Sequence, residues 1–108
     1  MSRIAVVVRA SKDVTELPRD WVPESLGSRA EVASAICAAA SKNIDLTGER
    51  ASLYSSGLAL ELEVEEGVSP RSITVSGTFG CSEIDFLRAL CALLSARLYD
   101  AESGAFEL

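Results

Sequence analysis

The stretch Leu58-Ala59-Leu60-Glu61-Leu62-Glu63-Val64-Glu65 decides the fold. Leu58, Leu60, Leu62 and Val64 alternate with Ala59 and three glutamates, a period of two that belongs to a strand with one dry face and one wet face. Glu66, Gly67 and Pro70 supply a turn, and residues 71–78 return as a second strand. In that strand Ile73 and Val75, with Phe79 beyond them, point inward, while Ser72, Thr74 and Ser76 point out. A wet face on both strands marks antiparallel pairing with cover on one side only. Gly77 and Gly80 around Phe79 mark a bulge or the strand exit.

Downstream of this hairpin, Ser82-Glu83-Ile84-Asp85 has the serine-x-x-acid spacing of a helix start. Ile84, Leu87, Leu90, Cys91, Leu94 and Leu98 then share one helical stripe, widened by Phe86 and Leu93. The helix gives way near Arg97 to an edge strand over 98–100, followed by a turn over 100–104 and an extended tail. Upstream, Ser28-Arg29-Ala30-Glu31 reads as a capping box, in which the hydroxyl accepts an amide proton and the carboxylate reaches back. Val32, Ala35, Ile36, Ala39 and Ala40 follow at helical spacing, predicting a helix over 29–41. Residues 43–56 are polar and turn-rich, with a short extended piece around 52–54. Residues 11–27 contain Pro18, Pro23 and Gly27 and keep neither period, so they read as a loop. Residues 4–8 are a continuous apolar run, an interior strand.

The order is strand, helix, strand, strand, helix, strand. Helices cannot cover a face that carries glutamates, so both must lie on the other one. The expectation is a single α+β domain over 1–108: a two-layer sandwich with an antiparallel sheet, two helices on one face and the ferredoxin-like βαββαβ order.

Composition narrows the function. Ten basic side chains against sixteen acidic ones give a net charge of −6, which disfavours nucleic acid, a ligand bound by neutralising phosphates. With no histidine in the chain, serine–histidine and cysteine–histidine catalysis and histidine metal sites are excluded. The glycines match neither a Walker loop nor the G-x-G-x-x-G dinucleotide fingerprint. No apolar run is long enough for a signal-peptide core or a membrane span. Cys37, Cys81 and Cys91 are odd in number and without C-x-x-C spacing, the pattern of reduced cytoplasmic thiols. Cys91 reads as a small core residue and Cys81 as a partly buried, inert thiol at a helix start.

The candidate partner-binding residues are Glu61, Glu63, Glu65 and Glu66, with Trp21 and Tyr54 as aromatic anchors. Same-face glutamates on one strand stand about 7 Å apart and repel by roughly half a kcal/mol per pair in water. The plain reading is a solvated sheet face that discourages aggregation. The functional reading is an anionic surface that steers a basic partner protein. The strand spacing is too wide for one metal ion to be shared. Trp21 divides between a packing lid and a contact hot spot, and Tyr54 and Tyr99 between sheet rim and contact surface, with the rim preferred.

Three stretches carry a resemblance: residues 26–32 (Leu-Gly-Ser-Arg-Ala-Glu-Val) opening a helix, residues 57–61 (Gly-Leu-Ala-Leu-Glu) opening a strand, and residues 98–106, whose Asp100-Ala101-Glu102-Ser103-Gly104-Ala105-Phe106 ends the set. The chain resembles a family of small uncharacterised bacterial proteins of about one hundred residues, with a leucine-glycine-threonine-arginine-x-glutamate helix start and an aspartate-x-x-threonine-glycine-x-phenylalanine tail. Serine replaces the usual threonine at Ser28 and Ser103, and the family's aromatic-rich segment between helix and strand is missing. The resemblance implies a bacterial cytoplasmic α+β domain without catalytic residues or cofactors. By size, acidity and fold class it is also similar to the immunity proteins of bacterial toxin systems.

The expected function is therefore a non-enzymatic, protein-binding module, in concrete form an immunity protein that neutralises a basic toxin. The alternative is a small-molecule-sensing or structural domain that dimerises through its sheet, with residues 77–82 holding an anion at the second helix's N-terminus. Monomer and homodimer both stay open.

Overall fold

The computed structural model describes residues 3–10, 23–41, 44, 49–54, 57–100 and 104–106. The alternating stretch forms β3 (Leu60–Val64), with Leu60, Leu62 and Val64 buried and Glu61 and Glu63 exposed. It pairs antiparallel with β4 (Ser72–Gly77), in register Leu62 to Val75. The remaining elements are β1 (Arg3–Val8), α1 (Arg29–Ala40), β2 (Arg50–Ser52), α2 (Cys81–Leu94), β5 (Arg97–Asp100) and β6 (Ala105–Phe106).

The strands make one antiparallel sheet in the order β2-β3-β4-β1-β5-β6. The four inner strands carry the ferredoxin-like arrangement: β1–α1–β3 and β4–α2–β5 are two split crossovers, interleaved so that β4 and β1 meet at the centre. Two short strands extend this frame. β2 adds to β3, with Ala51 opposite Leu62, and β6 adds to β5, with Tyr99 opposite Phe106. Residues 98–100 were expected at the edge, and β6 covers them instead. Gly104, at φ +71°, closes that hairpin by donating its N–H to the Asp100 carbonyl at 2.9 Å.

Both helices pack on one face. Ala5 and Val7 of β1, Leu60, Leu62 and Val64, Ile73 and Val75, and Leu98 meet Val32, Ala35 and Ile36 of α1 and Phe86, Leu87, Leu90, Cys91 and Leu94 of α2. Leu98 belongs to β5 rather than to the helical stripe. Leu93, expected to widen that stripe, is 54% exposed, because it falls on the solvent side of the helix.

Helix α1 begins as its sequence dictates. Ser28 Oγ accepts the Glu31 N–H at 3.1 Å and the Glu31 carboxylate accepts the Ser28 N–H at 3.1 Å. These bonds hold the Glu31 carboxyl below its ordinary pKa. Arg29 then reaches across to the β3–β4 turn, donating to the Glu65 and Gly67 carbonyls at 2.8 and 3.2 Å. Its own N–H binds the Val68 carbonyl at 3.1 Å, and Leu26 N–H binds that of Pro70 at 2.8 Å. The leucine-glycine-serine-arginine-x-glutamate stretch thus caps a helix and clamps a turn. Helix α2 starts two residues earlier than its serine suggested. Gly80 is the cap and Glu83 supplies the carboxylate, so Ser82 and Asp85 do not form the expected box.

Burial raises the Cys91 thiol to a pKa of about 11. The unfolded thiol ionises near pH 9 and the folded one two units higher, so folding stability is unaffected by this group below pH 9 and falls as pH rises toward 11. The expected loss is about 2–3 kcal/mol across that window. Urea titrations from pH 8 to 11 should show it, and Cys91→Ala should remove that part of the slope. Cys81, expected to be partly buried, is exposed at the first helical position. It should react with a thiol reagent well before Cys91.

Candidate functional site

The face of the sheet away from the helices gathers most of the residues that the sequence nominated. Strand alternation sends Glu61 and Glu63 to this side, beside Ser76 and Thr74 of β4 and opposite Ser52 and Arg50 of β2. Both carboxylates are exposed, and among the described residues neither accepts a hydrogen bond or pairs with a cation. Glu65 and Glu66 are exposed just past the strand. The Glu65 carboxylate accepts the Arg71 N–H at 3.0 Å, which commits one of its oxygens to the turn. The span from Glu61 to Glu65 is about 14 Å along the strand.

Tyr54 follows β2 and is 56% exposed. Because β2 runs antiparallel to β3, Tyr54 stands at the Glu61 end, and Glu65 and Glu66 stand at the other. Glu61 and Glu63 therefore share one strip, with Glu65 and Glu66 exposed beyond one end and Tyr54 beyond the other. Trp21 lies outside the described residues.

Across the same face, beyond β4 and β1, stands a second group, of which the sequence reading weighed only Tyr99. Val6 pairs with Thr74 on one side and Tyr99 on the other, and Tyr99 pairs with Phe106. The Tyr99 and Phe106 rings meet edge to face with centroids 5.2 Å apart. The Arg97 guanidinium lies 4.0 Å from the centre of the Phe106 ring, within cation–π range. Between the acidic strip and this platform, Ile4 is 47% exposed and Val6 half-buried, while Val8 at the far end of β1 is buried. The sequence pointed to an edge strand over 98–100, but the facing of Tyr99 by Phe106 required knowledge of the β5–β6 hairpin.

The other side of the molecule carries an open groove of about 490 Å³ between the helices, lined in part by Arg9, Leu26, Ala30, Glu31, Ser34 and Leu93. Its two charged groups are committed to the chain's own backbone. Arg9 donates to the Leu94 carbonyl at 2.6 Å and the Ser25 carbonyl at 2.8 Å, capping the end of α2 and holding the segment that enters α1. Glu31 serves the α1 cap.

The loop expected to hold an anion at the start of α2 closes on a carboxylate of its own. Glu83 is buried, with one oxygen 2.9 Å from Gly80 N and the other 3.3 Å from Ala59 N. It occupies the place where an external anion would meet the helix dipole. Among the described residues no group of three or more cysteines and carboxylates is placed to hold a metal ion. No described helix is long and apolar enough to cross a membrane.

No protein-family model matches this chain, and neither does a curated protein or a solved structure.

Proposed function

We propose that the chain is a protein-binding module that takes a basic protein partner on the β3 side of its open sheet face. The observation that supports this reading is the state of Glu61 and Glu63, two exposed carboxylates without a partner among the described residues, fixed on a strand whose opposite face is fully buried. A strand in a packed sheet holds its charges in place, so a partner meets them without an ordering cost. Glu65 and Glu66 extend the field and Tyr54 offers an aromatic contact at its end. In concrete form the module is a cytoplasmic immunity protein, and its partner a nuclease-type toxin whose own active face must be positive to hold phosphate. The carboxylates act by attraction and exclusion and perform no chemistry.

The test compares the native chain with a variant carrying glutamine at 61, 63, 65 and 66. Affinity capture from a lysate, at about 50 and 200 mM salt, should retain one basic protein in stoichiometric amount. With that protein purified, the variant should associate at least about tenfold more slowly and lose most of its salt dependence. Equal association rates for the two chains would refute the electrostatic reading.

A further inference from the structure

Helix α2 carries its outermost residues in an order that is symmetric about the middle of the helix. Cys81, Asp85, Arg88 and Ala92 follow one another by a turn each, so they share the face turned away from the sheet, and every one of them is exposed. Asp85 and Arg88 flank the centre of this line, and neither forms a hydrogen bond or ion pair with a described residue. The helix layer is also balanced in charge. Outside the core it carries Arg29 and Glu31 on α1 and Asp85 and Arg88 on α2. In a chain of net charge −6, this is a surface on which two copies can meet without setting acid against acid. Around it Ala38, Ala92 and Leu93 are exposed and uncharged, the charge-poor composition of a contact surface.

We infer that the outer face of α2 is a homodimer interface, in which α2 of one copy lies antiparallel to α2 of a second. The two-fold axis crosses the helices level with the peptide between Phe86 and Leu87. It sets each residue of one helix level with the residue equally far beyond that point on the other. Asp85 then comes level with Arg88 of the second copy, and Arg88 with its Asp85, so both charges find partners twice over. Cys81 is matched with Ala92 and the half-buried Ile84 with Ala89 in the same reciprocal way, which places small side chains where the helices approach. Helices pack with axes about 8–10 Å apart, a gap that arginine and aspartate bridge together. A parallel pairing would set Asp85 against Asp85 and Arg88 against Arg88, so charge fixes the direction as well as the face. Any other protein would have to present the two charges in reverse order, whereas a second copy supplies them by symmetry. The contact is narrow and charged at its centre, so the dimer is weak and salt-sensitive. It leaves Glu61 and Glu63, on the far face of the sheet, open to the basic partner proposed above and does not rest on that reading.

The experiment is sedimentation equilibrium of the isolated chain up to about 100 μM, at low and high salt. The native chain should dimerise and dissociate as salt rises. D85R and R88E each alter one exposed side chain and set like charges against each other at both pairs, so each should raise the dissociation constant at least about tenfold. An equimolar mixture of the two variants should associate again, because one copy then offers two arginines to the two acids of the other. Circular dichroism checks that both variants fold. The variant with glutamine at 61, 63, 65 and 66 should dimerise as the native chain does, which separates this contact from the sheet face. A native chain that stays monomeric at low salt overturns the proposal. So does a dimer indifferent to D85R, a mixture of folded variants that stays apart, or a dimer lost in the four-glutamine variant.

Discussion

Gly77→Ala should be the most damaging single-methyl change in this protein, costing about 4 kcal/mol or more in a urea titration. Gly77 ends β4 at φ +141°, a conformation that residues with a side chain rarely adopt. A Cβ at this position would stand 2.0 Å from the Ala59 carbonyl oxygen and 3.0 Å from the Leu60 Cα. Those atoms are backbone of the paired strand, so no rotamer change can move them away. Relief requires β3 and β4 to part where Thr78 N–H binds the Ala59 carbonyl at 2.9 Å. The loss would take a large share of the 5–15 kcal/mol that holds a domain of this kind together. Gly57→Ala is the control. Gly57 also has positive φ, +92°, but nothing lies within 4 Å of its Cβ position, so only the conformational cost of about 1–2 kcal/mol remains. Equal losses at the two glycines would show that the close approach to Ala59 is not the cause.

That steric contact is one of the points where the sequence could be read only part of the way. The pairing of β3 with β4 follows directly from alternation, because a shift of one residue would turn Leu62 and Val64 to water and Glu63 to the core. The α1 start was equally plain, since the serine and glutamate of a capping box bond within four residues. Short-range rules were enough in both places. The α2 start was misplaced because Ser82-x-x-Asp85 and Gly80-x-x-Glu83 compete in the same six residues. The winner is favoured by a distant donor, Ala59 N–H, which donates to the Glu83 carboxylate at 3.3 Å. Nothing local reports that preference. β2 and β6 were visible only as short extended pieces, because strands of three and two residues carry too little pattern to establish a period.

The site divides in the same way. Glu61, Glu63 and Glu65 were legible as one surface because residues on one strand share a face by period alone. Arg97, Tyr99 and Phe106 were not, because their proximity depends on β5 and β6 folding back across Gly104. Arg3 and Asp100, an ion pair at 2.8 Å between β1 and β5, are 97 residues apart and have the same origin. Asp100 is buried, so the aspartate of the C-terminal motif serves as an anchor of the β1–β5 pairing and not as a surface acid. An acidic residue's meaning in this chain therefore depends on its side of the sheet. On the helix side Asp100 and Glu83 are consumed by structure, and on the open side Glu61 and Glu63 remain available to a partner.

Glu83 gives the second large effect. Its carboxylate is buried and bridges two elements, with Gly80 N–H at the head of α2 on one oxygen and Ala59 N–H at the entry to β3 on the other. Glu83→Ala removes two hydrogen bonds to a charged acceptor and leaves both amides without one, so the expected cost is about 3 kcal/mol. Glu83→Gln keeps the shape and one acceptor oxygen but turns an NH₂ group toward the second amide, and it should fall between the two, at about 1–2 kcal/mol. If glutamine proved as costly as alanine, the charge at the helix N-terminus would be the source rather than the paired bonds. The two predictions also interact. Ala59 offers its carbonyl to the strand exit at Gly77 and its N–H to Glu83, so both substitutions loosen the same peptide. The double variant Gly77→Ala/Glu83→Ala should then lose less than the sum of the single losses, by 1 kcal/mol or so, because the second change acts on a contact already broken by the first. Strict additivity would mean that the strand exit and the helix cap are independent, and that Ala59 is not the residue that joins them.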